Sequence, residues 1–246
     1  MLRFTFFGIP VGVHFTFLFI ALIVGARGNR TEFGASAALA AVLIAIFVAV
    51  LIHEAGHALT ARYYGADDIT ITLFALGGVT TFSNDPPLPP GKRFVITAAG
   101  SGAGIVAGGG ALLLTVAGVF EGMSELFKYS GQWFIFAALG WGVFNWIPVR
   151  PLDGGQMLTA ALEIVAPHRG ETIARIVSGV VGAALVAVTF AIGSPLLGLY
   201  FAFIALLGLR RQDGPEEATT HGSDGSDTEQ NRAGEPTRKT PAEFPI

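Results

Sequence analysis

Cysteine is absent from the 246-residue chain, and charge is scarce, at 13% of residues against 52% hydrophobic. The first absence excludes a disulfide framework, a thiolate metal site and a cysteine nucleophile. The second excludes an ordinary water-soluble domain, which carries about 25% charged residues. A basic surface is missing as well. From Arg210 to Ile246 there are five Lys/Arg and eight Asp/Glu, which leaves ten of each for residues 1–209. The body is close to neutral and the net charge of −3 belongs to the tail, so nucleic-acid binding through a basic face is excluded. What remains is an integral membrane protein with a short polar tail.

Long charge-free runs carry the fold signal, because a membrane helix needs about 20 mostly apolar residues. The first run, Phe4 to Ala26, is interrupted at Gly8-Ile9-Pro10. Proline lacks an amide donor and disfavours helix before it, which predicts an extended piece over Arg3–Ile9 and a helix over Val11–Gly25. One positive charge and no small-residue cleavage site argue against a cleavable signal peptide. Phe33–Ile52, continued by His53-Glu54-Ala55-Gly56-His57, predicts a second helix. Ile69–Phe82 alternates with period two around Gly77-Gly78 and predicts a hairpin. Four prolines between Asn84 and Gly91 mark a loop. Phe94–Phe120 is a third run, with Gly100, Gly104 and Gly108 at the spacing that lets helices approach closely in lipid. Tyr129–Val149 is a fourth. Gln156–Val165 predicts a short helix, and Gly193-Ser194-Pro195 divides Ile176–Leu209 into two more spans.

The expected architecture is an all-α polytopic membrane protein of about six transmembrane helices with a small membrane-associated β-hairpin. Residues 1–209 form its core. Residues 210–246, rich in Gly, Ser, Pro and acidic residues, form a polar tail too poor in apolar groups to order itself. With the N-terminus inside, the inner segments hold nine Lys/Arg, among them Arg62, Arg93, Arg150 and Arg169, and the outer loops only Arg27, Arg30 and Lys128. The positive-inside rule therefore puts both termini, and the His57 end of the second helix, on the cytoplasmic side.

His53-Glu54-x-x-His57 is the sharpest chemical feature. Residues four apart share a helix face, so two imidazoles there can grip one Zn²⁺, with Glu54 beside them as a general base. The competing reading is a hydrogen-bonded polar cluster joining helices. Ionisable groups inside a membrane segment are costly and usually functional, which favours the metal. A catalytic zinc commonly takes three protein ligands and a water. Candidates for the third are His14, His168 and the carboxylates. Asp153, in Pro151-Leu152-Asp153-Gly154-Gly155, stands out because it follows a membrane run. An equally good reading of Asp153 is a helix N-cap.

His53–His57 at the end of a membrane helix, followed by Asn145-Trp146-Ile147-Pro148-Val149-Arg150-Pro151-Leu152-Asp153-Gly154-Gly155, resembles the site-2 protease family of intramembrane zinc metalloproteases. The resemblance covers most of residues 1–209. It implies one zinc ion per chain, with His53, His57 and Asp153 as ligands and Glu54 as the base. It also implies a role for Asn145 in positioning substrate backbone or stabilising an oxyanion, and a strand around Gly77-Gly78 that pairs with extended substrate. His14 is read either as a gate or group beside the site, or as an interfacial histidine. The implied activity is hydrolysis of peptide bonds in or near the transmembrane segment of a single-span regulatory membrane protein, in a bacterial cell membrane, with no nucleic-acid partner. The stretch Gly100-Ser101-Gly102-Ala103-Gly104 departs from the family pattern by lacking its Pro and Asn. The chain has the look of a minimal core without PDZ or CBS domains.

The alternative function is a metal-ion transporter or metal-binding membrane protein using the same cluster. It calls for a chain of polar residues across the bilayer, absent from this body beyond residues 53–57 and 153, and gives Glu54 no required role.

Overall fold

Twenty-nine residues without a proline, and with one glycine, form the longest helix, α1 (Ala35–Tyr63). Its buried side runs Ala38, Val42, Ala45, Ala49, His53, His57 at steps of three and four, the spacing of one helix face. Half of these are alanine, and small residues let neighbouring helices come close. The computed structural model describes residues 1–19, 34–75 and 77–209. After α1 come α2 (Pro90–Val116), α3 (Glu125–Phe144), α4 (Asp153–Val165), α5 (Gly170–Ala191) and α6 (Pro195–Leu209). Proline opens α2, where its missing amide costs nothing. Ser124 caps α3 by accepting from Phe127 N at 3.3 Å.

Helix α1 packs on α2 and α3, α2 packs on α3 and α4, and α5 joins α4 to α6. Gly100, Gly104 and Gly108 are all buried, so the glycine ridge of α2 is used within the chain. A Cβ on Gly104 would stand 3.2 Å from the Ala138 carbonyl, and one on Gly108 2.9 Å from the Leu139 side chain, both on α3. By length and composition α1, α2 and α5 can cross a membrane, and α6 is a shorter apolar helix. Ile44, Val106, Leu113 and Val180 are exposed on the three long helices, a surface suited to acyl chains rather than water. Among the described residues three helices, not six, meet that criterion.

The expected hairpin is there, as β3 (Asp67–Phe74) and β4 (Gly77–Ser83), but it belongs to a larger sheet. Strands β1 (Leu2–Phe6) and β2 (Ile9–Val13) form a second hairpin, and β2 pairs with β3 in parallel to give the order β1-β2-β3-β4. The turn at Phe7-Gly8 has positive φ at both residues (47° and 77°), the geometry of a two-residue hairpin turn. This corrects the start of the expected helix over Val11–Gly25: Val11–Val13 is strand, residues 17–19 are helical, and the part from residue 20 onward lies outside the described residues. Pro10, which interrupts the apolar run, sits on β2 opposite Thr5. The tail 210–246, Arg27 and Arg30 also lie outside the described residues. Val11, Ile71 and Leu73 are buried in a core shared with Val50, Leu51, Ala58 and Ala61 of α1, so the sheet is fixed to the end of α1 that carries the histidines. Arg62 adds a hydrogen bond of 2.7 Å to the Phe7 carbonyl at the hairpin tip.

The close α2–α3 seam gives a test of packing away from the polar centre. Gly108→Val forces a side chain against Leu139 and should lower stability by about 1–3 kcal/mol. Gly109→Val points into open space and should leave it unchanged. Thermal unfolding in detergent reads both.

Candidate functional site

His53 and His57 lie one turn apart on α1, their rings crossed at 84° with centroids 4.8 Å apart. Their Nε2 atoms face each other at 3.2 Å. Asp153 opens α4 and closes the group. Its Oδ2 is 3.3 Å from His53 Nε2 and its Oδ1 3.5 Å from His57 Nε2. One candidate ligand atom from each of the three lies within 4.8 Å of the others. Exposures of 3%, 1% and 3% leave almost no contact with solvent.

The donor set fits a metal ion on its own chemistry. His57 Nδ1 is 2.9 Å from the Ile96 carbonyl, which can only accept, so the ring proton sits on Nδ1. A neutral His57 then turns its Nε2 lone pair towards His53 and Asp153. A metal cation, or a proton on His53 Nε2, lets the three groups face one another without lone-pair repulsion. Nitrogens bonded at 2.0–2.1 Å to one tetrahedral Zn²⁺ stand about 3.3 Å apart, close to the observed separation of the two Nε2 atoms.

Small residues make the convergence possible. Gly100 faces the His57 ring so closely that any Cβ there would collide with it. A Cβ on Gly56 would lie 2.5 Å from the Ala99 carbonyl. Helix α3 ends at Asn145, and the chain turns through residues 146–152 before α4 begins. Gly154 N donates to the Asn145 carbonyl at 2.5 Å. Gly154 and Gly155 pack on the backbones of Trp146 and Val149-Arg150, with no room for side chains. The cap reading of Asp153 fails: Leu152 holds the N-cap position and no side chain caps the helix. The carboxylate is turned instead to the histidines.

Glu54 is also buried, at 2% exposure. Thr80 of β4 donates to its Oε2 at 2.8 Å and lies 3.1 Å from its carbonyl oxygen. A Cβ on Gly78 would stand 2.5 Å from Glu54 Cγ, so glycine is what lets β4 approach. At Gly77 the same space is taken by the Trp141 ring, 2.6 Å from a Cβ, and φ is +125°.

The structure thus brings together His53, His57 and Asp153, with Glu54 next along the helix and Gly77-Gly78 alongside. Asn145 is buried near this loop, but its Nδ2 donates to the Trp141 carbonyl at 3.0 Å, within its own helix. His14 is not part of the cluster. It stands at the end of β2, hydrogen-bonded to Thr16 at 2.8 Å. His168 is exposed. Two polar partners escaped the sequence reading. One is Thr80, hidden in the alternation of β4. The other is Ser101, fully buried, whose Oγ donates to Asp153 Oδ2 at 2.6 Å. The available signal for Ser101 was a hydroxyl between glycines in an apolar run, which needs a partner once buried.

Residues 41–132 match the model of Peptidase family M50, a stretch that includes His53, Glu54 and His57 and stops before Asp153. Zinc metalloprotease MJ0392 of Methanocaldococcus jannaschii is 33% identical over 165 residues, covering 65% of this chain and 44% of that protein. Putative zinc metalloprotease Rip3 of Mycobacterium tuberculosis is 30% identical over 168 residues, covering 65% and 42%. The chain spans less than half the length of these curated relatives. The solved structure of the site-2 protease from Methanocaldococcus jannaschii aligns with a TM-score of 0.58 at 26% identity, over 85% of this chain and 95% of that one. With its apolar helices and buried His-His-Asp cluster, the chain thus matches Peptidase family M50 over residues 41–132 and is similar in sequence and fold to a site-2 protease, in keeping with an integral membrane protein.

Proposed function

We propose that this chain is a zinc-dependent intramembrane endopeptidase that hydrolyses a peptide bond in or near the membrane segment of a single-span regulatory protein. The observation that carries the reading is the convergence of His53, His57 and Asp153, buried and next to Glu54, on and against a helix able to cross a membrane. His53, His57 and Asp153 would hold one zinc ion per chain. When bound, zinc polarises a carbonyl and makes water acidic enough to react near neutral pH.

The chain's own groups do the rest. Glu54 takes the proton of the attacking water and returns it to the leaving amine. Thr80 holds Oε2 of that carboxylate, which keeps its orientation and leaves Oε1 for the proton. A membrane helix must unwind before its backbone can be attacked. Strand β4 is at the edge of the sheet, and Gly77-Gly78 leave its backbone close to Glu54, so an extended peptide added there lies beside the base. Asn145 is assigned to the substrate backbone or the oxyanion, which requires its amide to leave the Trp141 carbonyl. His14, beside the sheet and bonded to Thr16, is either a gating group or an interfacial histidine.

The wider reading has residues 1–209 as the catalytic membrane core with about six crossings, and residues 210–246 as a polar tail. Both termini lie on the cytoplasmic face of a bacterial membrane, as the positive-inside count supports.

Glu54→Gln should keep its zinc, measured by elemental analysis, and lose cleavage of a single-span test substrate by at least ~100-fold. Loss of zinc together with activity would instead make Glu54 a structural group. Asp153→Asn should release zinc to chelators far more readily than the wild type; equal retention would remove it from the ligand set. Ser101→Ala should weaken zinc affinity by about 10–100-fold in chelator competition, while Ser101→Thr keeps most of it.

A further inference from the structure

A second polar feature lies beside the metal cluster. A cavity of about 380 Å³ opens between the end of β4, the first turns of α2, and helices α4 and α5. Asn84, just past β4, is on one wall. Ile96, whose carbonyl holds His57, is on another. The cavity therefore continues the line from Glu54 along β4. Thr80, bonded to Glu54, and Asn84 are separated by four residues, roughly 13 Å of extended chain.

Four charged side chains face this space: Arg93 from α2, Arg150 from the loop before Asp153, Glu163 from α4 and Glu171 from α5. Arg93 is paired with Glu163. Glu171 is paired with Arg175 at 2.8 Å. Arg150 is left over. Its backbone N–H is anchored to Ser178 Oγ at 2.8 Å, but among the described residues no ion pair or hydrogen bond engages its guanidinium. Among the described residues Arg150 is thus the charged group of this lining that has no side-chain partner, and its half-buried side chain presents a planar fork suited to a carboxylate.

We propose that this cavity is a specificity subsite for an acidic side chain of the substrate, roughly four residues along the extended peptide from the bond cleaved, with Arg150 as its counter-charge. The inference rests on the proteolytic reading and on pairing of substrate with β4. It assigns Arg150 a selective role rather than a purely topological one. A carboxylate seated there replaces water around a fixed guanidinium and sets the register of the peptide against Glu54. An amide of the same shape makes the weaker, uncharged contact, and a lysine is repelled.

The test uses the full-length chain in proteoliposomes and single-span model substrates in which one flank position at a time is Asp, Asn or Lys. The expected result is one position, near the fourth from the scissile bond, where Asp lowers KM about tenfold relative to Asn with kcat little changed. Arg150→Gln should erase that difference while keeping wild-type zinc content, Arg150→Lys should keep most of it, and Arg150→Glu should reverse it in favour of Lys. Cleavage with an acid scan that is flat along the flank overturns the subsite and leaves the protease reading standing. An Arg150→Glu enzyme that loses all substrates equally, without reversal, also overturns it. If the zinc-loaded wild type cleaves no member of the panel, the proteolytic reading falls and the subsite with it.

Discussion

Two imidazoles and a carboxylate buried at 1–3% exposure are each costly in an apolar surrounding, and they become tolerable by facing one another around a shared positive charge. The arrangement is more specific than charge balance requires. His57 is held from behind by a backbone carbonyl, Asp153 is held from the side by Ser101, and the metal-facing atoms are left pointing inward. Outward-facing polar contacts of this kind orient the ligands of metal centres and raise their basicity. Much of the surrounding backbone can be understood as what is needed to place these three side chains together.

Helices normally keep their axes 8–10 Å apart, and here ligands from two of them, α1 and α4, with Ser101 of a third beside them, meet at one point. The chain meets this with glycine where the seams are tightest. Gly56 lets α1 settle on Ala99, Gly100 makes room for the His57 ring, and Gly142 of α3 lies against the Ser101 carbonyl. The Asp153 loop uses the same device, with Gly154 and Gly155 pressed on the preceding turn. The stretch Gly100-Ser101-Gly102 looked like a departure from a pattern. In the structure it is a working part: its glycine admits one ligand and its serine holds another.

The sheet serves the centre from the other side. Its buried side chains bind it to the histidine end of α1, so β4 has little freedom to drift away from Glu54. The threonine and two glycines of β4 then act in opposite ways, one by adding a contact to the carboxylate and the others by adding none. An edge strand is ordinarily an aggregation liability. Here it runs beside a buried acid and a cavity lined by Arg150, an arrangement suited to gripping an unwound peptide.

The sequence by itself determined the membrane class, the helix carrying His53, Glu54 and His57, the glycine ridge of α2 and the β3–β4 hairpin, because these depend on composition and on periods of 3.6 and 2 residues that neighbours along the chain express. It left Asp153 between ligand and cap, since both suit an acid at a helix start, and it misread Val11–Val13. A short apolar stretch is helix or strand according to what lies beside it, and β2 is a strand because β1 pairs with it across the Phe7-Gly8 turn and β3, some sixty residues later, offers a second edge. The bond from Ser101 to Asp153, the hold of Thr80 on Glu54 and the cavity around Arg150 belong to the tertiary structure alone. Each joins groups tens of residues apart, brought within hydrogen-bond range by packing that no local pattern encodes.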